Sequence, residues 1–534
     1  MPPLPPGARH AHFAPPPVPP HPIPWRPQPY EWWYFEFHTK AAPLDAAGRP
    51  DPALAPVDDW VVVVSCHRPH FFDPVRLVDV SMADHPGGHP VYDPFAYSGI
   101  ATSVYRLSPT VPLIDALVGF SATRTADADA ETDPARPFTA RFGRNPTKAR
   151  IQQTGTTPLT YELSVVQEGF YTTSGLVDTV FRGRKVRKVE IRIDVTLRQT
   201  TPGFAVTPDA VLMTDKWGGR HHWAVVMPSA RVTGTLTIRD AQRTYVEIPV
   251  DSRAYHDHQW GPHLPLVVMK DWSWGRALVH PDRTPNPDEE DLIVYFHAEP
   301  LPGAGAHGGT YLAYAPQGDD ARVLVPTDPA TPVVRLGGWD DANYPLRGFD
   351  PAQVRWPAER ALPSVSGSVV TAGPPRSGPP FPVPPDDSRR APLRELVMAL
   401  ARPLARRSLA GTVGYHGIVA CQGASPIAAD PKIPEPVAAS FIQRGSTVEP
   451  WPFYNRYVPA VAVSEPVTGA RRHRVTFGLS EYMEIAELMQ KPPWYIGGVP
   501  VRTSLLGVAG FSEAMTQIEP GAPRLWPVVK GHLF

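Results

Sequence analysis

From Tyr30 onward the chain is written in short apolar segments of period two, separated by Gly, Pro, Asp and Asn. That alternation is the signature of antiparallel β structure with one buried face. It is clearest where Val189, Ile191, Ile193, Val195 and Leu197 alternate with Glu190, Arg192, Asp194, Thr196 and Arg198. Trp60 to Cys66, Tyr161 to Val166, His222 to Met227, Arg231 to Ile238 and Asp291 to Ala298 are further predicted strands, each bounded by turn formers. Many short strands with few helices predict an all-β sandwich or barrel. One helical pattern stands apart, over Pro392 to Ser408. Leu393, Leu396, Val397, Leu400 and Leu404 recur at helical spacing, opposite Arg394, Arg402, Arg406 and Arg407. It reads either as a helix lying in a membrane interface or as one packed on a barrel with solvated arginines. Pro403 shortens it and favours the second.

Length and composition sharpen this reading. A chain of 534 residues exceeds what one core organises, so two domains are expected. The 70 prolines, roughly two to three times average usage, argue against long helices. Residues 1–28 are proline-rich and read as an extended, disordered arm without chemistry; a second proline-rich stretch runs from Leu362 to Pro385. With 51 basic against 52 acidic residues there is no global field to gather nucleic acid or anionic membrane. Two cysteines, Cys66 and Cys421, exclude a disulfide framework and show no metal or redox spacing. No segment reaches the roughly 18 uncharged apolar residues of a membrane span, and no secretory signal pattern opens the chain. A cytoplasmic protein is expected, with loose peripheral membrane contact left open. No glycine-rich phosphate loop follows a strand, so nucleotide cofactors are not supported.

Three clusters could carry chemistry: Glu31-Trp32-Trp33-Tyr34-Phe35, Tyr255-His256-Asp257-His258-Gln259-Trp260-Gly261, and Asp271-Trp272-Ser273-Trp274-Gly275. They resemble, in order, the EWWY opening, the DHQWG segment and the WSW strand of the carotenoid 1,2-hydratase (hydroxyneurosporene synthase) and AttH-like lipocalin family. His222 to Ile238 is similar to the strand pair before DHQWG there. Phe453 to Tyr457 and Gly478 to Glu484 resemble the closing strands of its second barrel. The resemblance covers about residues 28–345 and 438–490. It departs at Tyr255, where tryptophan is usual, at His256, and in the proline-rich insertion. It implies two lipocalin-like antiparallel β-barrels in tandem: residues 29–263, then 264–361 with 438–534, interrupted by a proline-rich and helical insertion at 362–437. It also implies an acyclic carotenoid or related terpenoid as substrate, bound in or between the barrels, with Asp257 as acid and tryptophans as cation stabilisers; protonation of an alkene followed by hydration or cyclisation requires no cofactor.

The same residues can be read physically. On a strand, Tyr255, Asp257 and Gln259 share one face and His256, His258 and Trp260 the other. If Asp257 faces an apolar barrel interior, desolvation keeps it partly protonated, as a general acid for an alkene requires. The cation so formed needs aromatic faces, and Trp32, Trp33, Tyr34, Trp217, Trp223, Tyr255, Trp272 and Trp274 are the candidates, with His258 beside them. Water addition gives a tertiary alcohol; attack by an internal double bond gives a ring. The alternative is structural: Asp257 fixing a turn and the tryptophans serving as core. Glu31 is expected to be a salt-bridged barrel residue rather than a proton-sharing one. His256 and His258, completed by His221, His222 or His263, could bind a metal, yet 19 histidines make such spacing common by chance, and no metal is expected. No G-x-S-x-G elbow supports a serine hydrolase. Function is therefore expected to be acid-catalysed hydration or cyclisation of a hydrophobic isoprenoid. Its rivals are a non-catalytic lipid or polyketide carrier and a pericyclase-type cyclase that works by orientation alone.

Overall fold

The computed structural model describes residues 4–5, 7–13, 29–41, 57–68, 97–106, 116–124, 128–144, 147–171, 189–239, 244–263, 265–279, 291–301, 303, 305–315, 322–324, 334–337, 364–365, 418–423, 437–442, 447–450, 454–457, 460–467, 470–484, 494–496 and 499–501. The described residues form an all-β protein with two large antiparallel sheets in tandem, the architecture expected from the sequence. Their one helix is a four-residue turn, Pro265–Val268, and none is long and apolar enough to cross a membrane. The amphipathic pattern over 392–408 lies outside the described residues.

Among the described residues the first sheet has thirteen strands, and eight of them form a closed ring: β1 (Tyr30–Ala41), β2 (Val57–Arg68), β3 (Tyr97–Arg106), β4 (Leu117–Arg124), β5 (Leu159–Tyr171), β6 (Val189–Thr201), β7 (Arg220–Arg239) and β8 (Thr244–Gly261), with Thr147–Thr156 paired onto β5 and Thr139–Arg144 onto it in turn. The pairing order is β7-β8-β1-β2-β3-β4-β5, and β6 pairs with both β5 and β7, so the sheet closes on itself. Closure removes the open edges that a free sheet would expose. β6 obeys the alternation read from sequence: its five aliphatic residues are buried, and Glu190, Arg192, Asp194, Thr196 and Arg198 are half-buried or exposed. The two strands expected over His222 to Met227 and Arg231 to Ile238 are one long strand. Its register shifts between Val225 and Ala230, where Pro228 withholds a ladder donor and the bulge absorbs it.

The second sheet has its centre in β9 (Met269–Val279), β10 (Asp291–Pro300), β11 (Gly309–Ala315), β12 (Tyr454–Tyr457) and β13 (Ala470–Glu484). β9 lies between β10 and β13, and β13 also pairs with β12 and with Ala460–Val467. Ile418–Gly423, assigned above to the insertion, is a strand of this sheet paired with Val334–Gly337 and Val437–Ile442. Its short apolar run was obscured by the proline-rich sequence before it.

β1 explains how the two sheets meet. Trp33, Phe35 and Phe37 point into the first barrel with Val62, Val64 and Cys66 of β2, a fully buried thiol whose pKa burial pushes up. Trp32 and Tyr34 point outward and are also buried, because Trp272, Trp274, Phe296 and Leu479 of the second sheet cover them. A strand with a core on each face needs apolar residues at successive positions, and that is why Trp32 to Phe35 shows no alternation.

The N-terminal arm, expected to be extended and mostly disordered, is docked over residues 7–13. Ala8, His10 and Ala11 are buried. The Ala11 amide donates to the Glu131 carbonyl at 2.9 Å, and His10 Nε2 lies 2.8 Å from the Arg136 carbonyl. The reason is specific pairing: His258 Nδ1 sits 2.6 Å from the Ala8 carbonyl, and the His12 amide donates to Glu31 at 2.8 Å.

Candidate functional site

Asp257 lies towards the C-terminal end of β8, opposite Tyr34 of β1 and Val225 of β7. It faces outward from the first barrel rather than into its interior, and it is still buried because the second sheet closes over it. Tyr255, two residues earlier on the same face, donates its hydroxyl to Asp257 Oδ2 at 2.8 Å, and Trp223 Nε1 donates to the same oxygen at 3.2 Å. Oδ1 makes no hydrogen bond of ordinary geometry. Burial pushes the Asp257 carboxyl up to about 7; the charge of Glu481 adds to this, while the donors from Tyr255, Trp223 and Gln259 oppose it. Since both close donors point at Oδ2, the proton of the neutral acid belongs on Oδ1.

Around the acid the two sheets form an aromatic seam. Ring centroids are 5.5 Å apart for Tyr34 and Trp274, 5.7 Å for Tyr255 and Trp274, 5.0 Å for Trp32 and Trp272, and 5.0 Å for Trp223 and Phe296. Thus Trp32, Tyr34, Trp223, Tyr255, Trp272 and Trp274 are brought together with Asp257. Trp33 and His258 are not. They stack on each other at 5.0 Å on the opposite face of the barrel wall, where a strand's period of two must send them. Trp217 is on a loop and 52% exposed.

Two ionic groups flank the seam. Glu481 of β13 accepts from Arg456 at 2.9 Å and from the Tyr34 hydroxyl at 3.2 Å, while Glu36 is paired with Arg276. Despite burial, Arg276 and His38 hold the Glu36 carboxyl down at about 2. Arg276 in turn lies over the Tyr255 ring, 5.2 Å from its centroid. None of these pairs was picked out as chemistry from the sequence; Tyr34 and Glu481 are separated by 447 positions, beyond the reach of any local pattern.

Glu31 is the salt-bridged residue expected. It binds Arg68 at 3.1 Å and His258 at 2.9 Å, and these partners outweigh burial and lower its pKa. The histidines considered for a metal separate. His256 stacks on Phe35 inside the barrel at 4.0 Å, and His258 binds Glu31. His222 turns to the Asp209 carbonyl at 3.0 Å. His221 and His263 converge instead on Asp215, which the sequence reading did not single out. His221 Nε2 lies 2.8 Å and His263 Nδ1 2.5 Å from Asp215 Oδ2, while the amides of Trp217 and Gly219 donate to Oδ1 at 2.9 Å each. Burial opposes ionisation of Asp215, but these four donors hold its carboxyl well below the usual range. The only sequence signal was an Asp followed by a Gly-Gly turn, Asp215 to Gly219.

No family model and no curated protein matches the chain. Among solved structures, it is similar to a protein assigned as AttH from Nitrosomonas europaea (12% identity, 86% of this chain and 93% of that chain, TM-score 0.39). It is also similar to CghA in complex with Sch210972 (12% identity, 86% and 89%, TM-score 0.41) and to CghA alone (11% identity, 86% and 89%, TM-score 0.39).

Proposed function

We propose that this protein is a cofactor-independent enzyme that protonates a carbon–carbon double bond of a hydrophobic isoprenoid, with Asp257 as the acid, and hydrates the resulting cation. The observation that carries this reading is a carboxyl buried in an aromatic seam, with its pKa pushed up to about 7 and both close donors on one oxygen. The proton on Oδ1 passes to an alkene carbon, whose π pair forms the new C–H bond. The Tyr255 and Trp223 donors stabilise the carboxylate left behind. Faces of Tyr34, Tyr255, Trp272 and Trp274 stabilise the cation without trapping it. Water then adds, and the proton it sheds returns to Asp257, so the enzyme is regenerated and atoms balance. The motif resemblance to carotenoid 1,2-hydratases supports an acyclic carotenoid or related terpenoid as the substrate class.

The test is incubation of the purified chain with neurosporene or lycopene in ¹⁸O-labelled water, followed by mass spectrometry, with Asp257→Asn in parallel. An ¹⁸O-labelled alcohol from the wild type and none from the variant is the expected result. An unlabelled cyclised isomer that still depends on Asp257 would keep the acid and replace hydration by ring closure. Recovery of unchanged substrate, or full turnover by the variant, would overturn the proposal.

A further inference from the structure

Outside the seam, the described residues hold one group of three side chains able to share a metal ion: Asp215, His221 and His263, whose ligand atoms all lie within 4.8 Å of one another. They come from three places in the fold: the loop before β7, the start of β7 and the residues just after β8. We propose that they form a site for a divalent transition metal of the zinc class, with two imidazole nitrogens and one carboxylate oxygen as ligands. This goes beyond the proposed reaction and does not depend on it.

The arrangement is built rather than incidental. The Trp217 and Gly219 amides fix Asp215 through Oδ1 and leave Oδ2 facing both rings. His221 Nδ1 lies 3.3 Å from the Tyr30 hydroxyl, which can accept the ring proton there and free Nε2 as a ligand. Such outer partners orient the ligands of metal sites. Space beside the ligands is kept by glycine: a Cβ on Gly219 would fall 2.6 Å from Asp215 Oδ2 and 2.8 Å from His263 Nδ1. Asp215 and His221 are fully buried, His263 is 15% exposed, and the ring of exposed Trp217 stands 5.0 Å from it, so the group opens to solvent on that side. A tetrahedral zinc holds nitrogen and oxygen ligands at about 2.0–2.2 Å, so these ligand atoms would sit roughly 3.3 Å apart. The present separations of 2.8 and 2.5 Å therefore require an opening of under about 1 Å, which the loop position of His263 permits. Three protein ligands leave a fourth position for water or a small anion.

The experiment uses the full chain, stripped with chelator and titrated with Zn²⁺ by calorimetry and with Co²⁺ by visible absorption. One equivalent of Zn²⁺, a four-coordinate Co²⁺ spectrum and a Zn²⁺-dependent rise in melting temperature are expected. His263→Ala and Gly219→Ala should each lose all three; the second keeps every ligand side chain, but its Cβ crowds Asp215 Oδ2 and His263 Nδ1 apart from their present positions. His222→Ala, next to a ligand but turned away from the group, should retain them. A wild type that takes up neither ion would overturn the site and leave a hydrogen-bonded His-Asp-His network. Unchanged binding in His263→Ala would overturn it equally, by placing the ion elsewhere. A cooperative melt and an unchanged far-ultraviolet circular dichroism spectrum of the metal-free variants verify that loss of binding is not loss of fold, even where loss of the Asp215 partner lowers the melting temperature.

Discussion

Replacing Asp257 by Asn probes the acid without any substrate. Burial in the seam moves its carboxyl from an ordinary 3.8 up to about 7, roughly three units at 1.36 kcal/mol each. Below about pH 4 the side chain is protonated in folded and unfolded chains alike, and folding is indifferent to it. Above that, the unfolded chain releases the proton while the folded chain keeps it. Stability then falls by about 1.4 kcal/mol per pH unit, about 4 kcal/mol in all, until the folded carboxyl also ionises near pH 7. An asparagine side chain stays neutral throughout, so this descent is absent from the variant. Its amide must place two donors where Oδ1 now makes no hydrogen bond of ordinary geometry, which lowers stability by about 1–3 kcal/mol at every pH and leaves the slope untouched. Urea unfolding of both proteins at steps from about pH 4 to 8, followed by tryptophan fluorescence, gives two stability curves. Other carboxylates contribute equally to each, so the difference isolates Asp257. Parallel curves would refute the reasoning, because they would mean that the carboxyl is solvated or already ionised in the fold.

Further outcomes follow from the same contacts. Tyr255→Phe removes a donor to Oδ2, so the pH at which stability stops falling should rise, with a loss of about 1–2 kcal/mol in urea unfolding. Glu481→Gln removes the charge that lifts the Asp257 pKa, and the same end point should move down. Glu36→Gln leaves Arg276 buried without its counter-charge and should cost about 3–5 kcal/mol. The wild-type contribution of Glu36 is present above its ordinary 4.5 and is lost as pH falls towards 2, so acid unfolding of the variant should lack that component. Deleting residues 1–13 removes the Ala8 carbonyl from His258 and the His12 ring stacked 4.0 Å from Trp260; a lower urea midpoint and greater acrylamide quenching are expected, and no change in either would mean the arm is not docked in solution.

Alternation made the strands legible, β6 above all, because a barrel wall with one wet face imposes period two on the sequence. It could not announce closure, which depends on β6 pairing with both β5 and β7, or the second core outside β1. The pairing of Tyr255 with Asp257 could be anticipated, since residues two apart on a strand share a face. The same rule separates Trp33 from Trp32 and His258 from Asp257, a signal present in the sequence but hidden when adjacent aromatics are grouped together. Glu481, Arg456, Glu36 and Arg276 were illegible for a different reason: each meets its role only when the sheets dock, and ionic residues within strands ordinarily face water. Asp215 was hidden by its turn, where aspartate usually serves the backbone alone.

The two-faced β1 has a kinetic consequence. When the ribosome has delivered residues 1–263, the first barrel can close, yet Trp32, Tyr34, Trp223 and Tyr255 still lack the sheet that covers them. The cover pairs β9 with β13, some 190 residues later in the chain, which at about 5–20 residues per second is a wait of roughly 10–40 s. During that interval a newborn chain carries an oily aromatic patch around its own acid, and chaperone capture or self-association competes with completion. Slowing translation between residues 279 and 470 should therefore lower the yield of folded protein more than slowing it within the first barrel.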